Sequence, residues 1–108
     1  MTLDIPFGTI DWTEVPATVH DGEAGTATWQ TVQTGSVRIR LVTYSPGYRA
    51  DHWCSKGHIV HVLSGAFTSL HDDGASHTLN AGMTYHVGDD VRPHRSHTEV
   101  GAQLLIVD

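Results

Sequence analysis

One cysteine, six basic side chains and the absence of any long apolar run set the first limits on this chain of 108 residues. With Cys54 alone no internal disulfide can form, and a lone thiol suits a reducing compartment. Six Lys and Arg stand against twelve Asp and Glu, a formal net charge of −6 with histidine neutral. An acidic chain without a basic run argues against nucleic acid and against anionic membrane surfaces as partners. No apolar stretch reaches the ~20 residues of a membrane span. The start, Met1-Thr2-Leu3-Asp4-Ile5-Pro6, has neither the basic region nor the apolar core of a signal peptide, so the expected location is the cytoplasm. Missing too is any apolar repeat of helical period and ordinary helix length.

What the sequence has instead is a succession of short strands. Residues 1–25 read as an extended N-terminal arm, with Ile5-Pro6-Phe7 and Ile10-Asp11-Trp12 packing on the barrel or on a partner subunit. Residues 26–108 read as the barrel. Strands are expected at 26–34, 37–44, 59–63, 66–71, 76–79, 83–87, 94–100 and 102–107, parted by Gly, Asp and Asn turns. The pair 59–63 and 66–71 is separated by Ser64-Gly65, and Asp72-Asp73-Gly74 has the composition of a hairpin turn. Between 37 and 41 the alternation puts Val37, Ile39 and Leu41 on one face and two arginines on the other. Leu104-Leu105-Ile106-Val107 is apolar on both faces, which predicts a strand covered on both sides. Spacings of roughly 8 to 12 residues without helices argue an all-β sandwich or barrel, and a jelly-roll barrel is the first choice.

Nine histidines are the compositional oddity. Three donors crowd one stretch, Asp51-His52-Trp53-Cys54-Ser55-Lys56-Gly57-His58. If His52 and Cys54 share a strand, both point to one face and Trp53 points away. A turn then brings His58 back beside them. Imidazole, thiolate and imidazole are the donor set of a borderline-soft metal ion. By parity from His58, His61 faces the other way. His20, His71 and His77 read as ordinary surface histidines. Asp51 and Lys56 read as a surface ion pair, with Asp51 orienting an imidazole as the alternative. Trp29, Trp53 and Tyr85 read as core or interface aromatics.

These residues resemble a single-domain cupin, whose first motif runs G-x5-H-x-H-x3-4-E-x6-G. Here Gly47 is followed after four residues by His52, then by Cys54, His58 and Gly65 at the motif's spacings. Cys54 occupies the second histidine's slot and His58 the glutamate's. Gly82 and Pro93-His94 resemble parts of the second motif, with Thr98 in its asparagine slot, which implies His94 as a further ligand. The string Ala50-Asp51-His52-Trp53-Cys54, with Lys56-Gly57-His58 behind it, is similar to the DHCW-motif cupins, small bacterial proteins without an assigned reaction. The resemblance implies a double-stranded β-helix barrel, often a homodimer, with a metal in its mouth.

The implied ligand set is therefore His52, Cys54, His58 and His94. Three imidazoles and a thiolate match tetrahedral Zn²⁺, with Fe, Ni, Co and Cu accepting the same donors. Four protein donors close a zinc site, which weakens the case for catalysis. Three functions follow: a metal-binding cupin of unassigned activity, a metal-dependent oxygenase or isomerase acting on a small molecule, or a small-ligand sensor without chemistry. The second expects an open coordination position with His86 or Tyr85 in reach of it.

Overall fold

A computed structural model describes residues 3–108, so the first two residues of the expected arm lie outside the described residues. Strands dominate: β1 (Ala17–Asp21), β2 (Thr26–Thr34), β3 (Val37–Tyr44), β4 (His58–His71), β5 (Ser76–Asn80), β6 (Thr84–Val87), β7 (His94–His97) and β8 (Ala102–Val107). Among the described residues the one helical segment is a 3-10 turn at Trp12–Glu14, capped by the Asp11 side chain. Every strand pairing is antiparallel, and the order runs β1-β2-β3-β8-β4-β5, with β6 and β7 also paired to β4. The fold is an all-β jelly-roll barrel, as the strand spacing leads one to expect.

Two differences from the sequence expectation have clear causes. The strands at 59–63 and 66–71 are one 14-residue strand, β4, in which Ser64-Gly65 continue the ladder. An extra residue lies between Val62, opposite Leu104, and Ser64, opposite Gln103. This bulge bends the strand from one sheet into the other. Before it β4 lies between β6 and β8, and after it between β5 and β7. The strand expected at 94–100 stops at His97 instead. There Thr98 Oγ1 donates to the Ala66 carbonyl at 2.5 Å and accepts from the Gly101 N–H at 3.0 Å, which turns the chain.

Residues of the 1–25 segment play two parts. Ala17–Asp21 is an edge strand on β2. Upstream of it, Gln30 Nε2 donates to the carbonyls of Trp12 and Val15, which holds the segment against the sheet. Phe7 remains 97% exposed.

Both sheets turn their inner faces to one core: Ala27, Val42, Val60, Val62, Phe67, Leu79, Ala102, Leu104 and Ile106. β8 is buried on this face at Ala102, Leu104 and Ile106, while Leu105 and Val107 on its outer face are only half-buried.

Just past the bulge, Gly65 has φ +72° and its missing Cβ would meet the Gly101 carbonyl. Gly65→Ala is expected to cost about 2 kcal/mol or more, from left-handed strain plus that contact. Urea unfolding checks this, with Gly8→Ala as a control in open space that should stay within about 0.5 kcal/mol.

Candidate metal centre

The register of the inner face assembles the site. On β3 the alternation seen in the sequence holds, and the face turned inward is the one with the arginines. Arg40 is 6% exposed, whereas Ile39 and Leu41 lie on the outer face, half-buried. Arg38 exchanges backbone hydrogen bonds with Asp108, and the β4–β8 register sets His58 next to Asp108 on the other side. Arg38, Asp108 and His58 are thus cross-strand neighbours at one end of the barrel. One step inward, Arg40, Ile106, Val60 and Tyr85 form the next row.

Asp108 is the electrostatic centre of these rows. Its carboxylate accepts from Arg38 Nε at 2.9 Å, Arg38 Nη2 at 3.2 Å and Arg40 Nη2 at 2.9 Å, with a side-chain exposure of 1%. Burial opposes its ionisation, but the hydrogen bonds and charges of the two arginines outweigh burial and hold its pKa below the usual range. Asp108 Oδ2 also lies 3.5 Å from His58 Nδ1, a charge contact to a buried nitrogen that has no hydrogen-bond partner.

His94 reaches the same point from β7. Its Nδ1 is 2.8 Å from the Arg92 carbonyl, which can only accept, so the proton sits on Nδ1 and Nε2 presents a lone pair. Cys54 is placed by a backbone bridge to the same residue: Cys54 N–H donates to the His94 carbonyl at 2.7 Å and His94 N–H returns at 2.9 Å. Cys54, His58 and His94 bring one donor atom each within 4.8 Å of one another, and this trio could hold a metal ion.

The histidine pair sharpens that reading. His58 Nε2 and His94 Nε2 face each other at 2.9 Å, with His94 Nδ1 held by the Arg92 carbonyl and His58 Nδ1 buried without a hydrogen-bond partner. The His94 Nε2 lone pair at that distance calls for a donor or a cation, supplied either by a proton on His58 Nε2 or by a metal ion bound to both nitrogens. Burial, and then the neighbouring His94, push the His58 pKa down to about 4, so the ring is neutral near neutral pH and has a lone pair to give a metal ion. A metal ion satisfies both nitrogens. Tyr85 Oη stands 3.2 Å from His58 Nε2, and burial pushes its pKa well up, which keeps it a hydrogen-bond donor.

His52 stays outside this group. Its side chain is 81% exposed and its Nδ1 lies 2.6 Å from Asp51 Oδ1. Ala50 is held opposite Ser96 and Cys54 opposite His94, so the chain spends four residues where its partner spends two. The surplus loops outward with Asp51 and His52 on it, so the strand that would give His52 and Cys54 a common face does not form. His52 borders the mouth of the cavity that contains the trio. His61 faces outward and meets Thr84 Oγ1 at 2.7 Å, and His86 is exposed on the outer row opposite Ile59. His97 has the opposite parity to His94 and pairs with Thr68. Trp53 is 44% exposed, with the Arg95 guanidinium 4.7 Å above its ring. His20 is no plain surface residue: it stacks on Trp29 at 4.0 Å in the cavity wall. Asp108, Arg38 and Arg40 carry no motif, and their part in the site comes from register alone.

No family profile matches the chain, and no curated protein matches its sequence. Solved structures do resemble it. The polyketide cyclase RemF from Streptomyces resistomycificus superposes with a TM-score of 0.77 at 20% identity, covering 94% of this chain and 78% of that one. The EutQ protein of Clostridium difficile gives 0.76 at 13% identity, covering 99% and 95%. A sugar phosphate isomerase from a cupin superfamily, from Silicibacter pomeroyi, gives 0.70 at 18% identity, covering 93% and 74%. Likeness at these identities is one of fold. With a jelly-roll barrel, a His and Cys trio inside it and cupin structures among its neighbours, the chain has the cupin fold.

Proposed function

We propose that the chain is a metal-binding cupin of the DHCW-motif kind, in which Cys54, His58 and His94 hold one zinc ion and leave a coordination position open to a small molecule. The observation that carries this is the convergence of Cys54, His58 and His94 within 4.8 Å, with two imidazole Nε2 atoms 2.9 Å apart. Two neutral imidazoles and a thiolate suit zinc, and binding would deprotonate the thiol. Three protein donors, with His52 left to Asp51, follow the pattern of zinc sites that accept a ligand. A cavity of about 550 Å³ adjoins the trio, a size that fits a small organic molecule. When bound, the ion would supply Lewis acidity at the open position. Tyr85 would offer its hydroxyl to a ligand oxygen there. This combination favours a small-molecule enzyme with polar chemistry, and an isomerase and a cyclase are among the structural neighbours by name. The lone thiol fits a cytoplasmic setting.

The working form in this proposal is a homodimer. Ile59 (49% exposed) and Leu63 (46%) lie on the outer face of β4, and Met83 (43%) lies just ahead of β6. Half-buried Ile39, Leu41, Leu105 and Val107 continue that face across β3 and β8. A second copy presenting the same face would cover this surface.

Elemental analysis of protein purified without added metal is expected to find one zinc per chain. Cys54→Ser and His94→Ala should lose it and lower Tm, and His52→Ala should keep it. The proposal fails if no stoichiometric metal is found and Cys54 reacts freely with a thiol reagent. Asp108→Asn, which frees the His58 ring, is expected to weaken metal affinity roughly 10- to 100-fold in a chelator competition. Sedimentation should give twice the 11.7 kDa chain mass, and Ile59→Glu should halve it without loss of metal.

A further inference from the structure

Two arginines in the barrel, Arg40 buried and Arg38 partly exposed, are more than Asp108 needs. Their ion pair uses Nε and Nη2 of Arg38 and Nη2 of Arg40, so Nη1 of both is left out of it. Arg40 is 6% exposed, and its Nε finds no hydrogen-bond partner at all. Its guanidinium lies 4.6 Å over the Trp29 ring, fixed in place on the cavity wall. An uncompensated buried charge is costly, and arginine does not escape that cost by losing its proton.

The whole cavity shares this surplus. Four cations, Arg38, Arg40, Lys56 and Arg95, line it against Asp21 and Asp51, with Asp108 as a third carboxylate beneath the arginines. The excess is positive in a chain whose formal net charge is −6. Low-dielectric walls focus such a field on whatever enters. Beside the arginines the lining is apolar and aromatic, with Trp29 beneath Arg40, Tyr44 farther along the same strand face, and Phe67.

We propose that the cavity binds a small organic carboxylate, with its charged end on Arg38 and Arg40 and an apolar or aromatic body against Trp29, Tyr44 and Phe67. Guanidinium forks match a planar carboxylate, whose two oxygens can take the donors that Asp108 leaves over. The inference deepens the metal-site reading by naming the ligand class of the same cavity, while its charge argument stands on the arginines alone.

Calorimetry with benzoate, its neutral isostere benzamide and phenyl phosphate tests it, on the protein as purified and after chelator treatment. Benzoate is expected to bind in both forms, and benzamide roughly tenfold or more weaker, the worth of a hydrogen-bonded charge. Arg38→Gln, at a side chain that is 31% exposed, should weaken benzoate by roughly fivefold or more in the chelator-treated protein as well as in the protein as purified. Arg40→Lys, which keeps the charge and loses the fork, should weaken it as well. Equal binding of benzamide, tighter binding of phenyl phosphate, or an Arg38→Gln protein within twofold of the parent would each overturn the proposal. Benzoate binding that vanishes with the metal and ignores both arginines would also overturn it. A protein that contains no metal yet still discriminates benzoate from benzamide would sink the metal reading and support this one.

Discussion

Asp108 carries one negative charge beneath two guanidiniums and an imidazole, with almost no access to water. Much of the barrel's inner chemistry depends on that carboxylate. Without it Arg40 becomes a buried cation without a counter-ion, a change that typically costs about 3–5 kcal/mol. His58 would also lose the carboxylate that lies 3.5 Å from its Nδ1. Fold and site therefore share one residue. It sits where β3, β8 and β4 meet, so the strand register that builds the barrel also builds the ion pair.

The polarity of the barrel is arranged around this cluster. Near the cluster the inner face carries arginine, tyrosine, histidine and cysteine, while apolar side chains of β3, β8 and β4 look outward. A compact core survives because the polar residues occupy one end and Val42, Val62, Phe67 and Leu104 fill the middle. The cost of burying charge falls where a ligand can offset it, whereas a purely structural barrel of this size would do better with aliphatic side chains there.

The sequence made the strands and turns legible because alternation and Gly or Asp turns are local signals. Cys54, His58 and His94 were legible from donor type together with the cupin resemblance. Other features were not, for identifiable reasons. The placement of His52 turns on a loop that slips the register by two residues between Ala50 and Cys54, and no side chain announces it. Asp108, Arg38 and Arg40 are ordinary charged residues until three strands pair. Val37, Ile39 and Leu41 alternate with the arginines in either orientation of the strand, so the pattern named two faces without saying which was inner. Ser64-Gly65 has the composition of a turn, yet both residues pair with β8 and the left-handed glycine stays within the strand.

The bulge at Leu63 makes β4 a strand read in two frames. Up to Val62 its even-numbered side chains line the interior: His58, Val60 and Val62. Beyond it the odd-numbered ones do, and Phe67 and Ser69 are the buried pair. One surplus residue thus lets a single continuous strand send a metal-site histidine inward at its start and a core phenylalanine inward after the bend. The coding of site and core in β4 is set by phase, and its composition alone does not reveal where the phase changes.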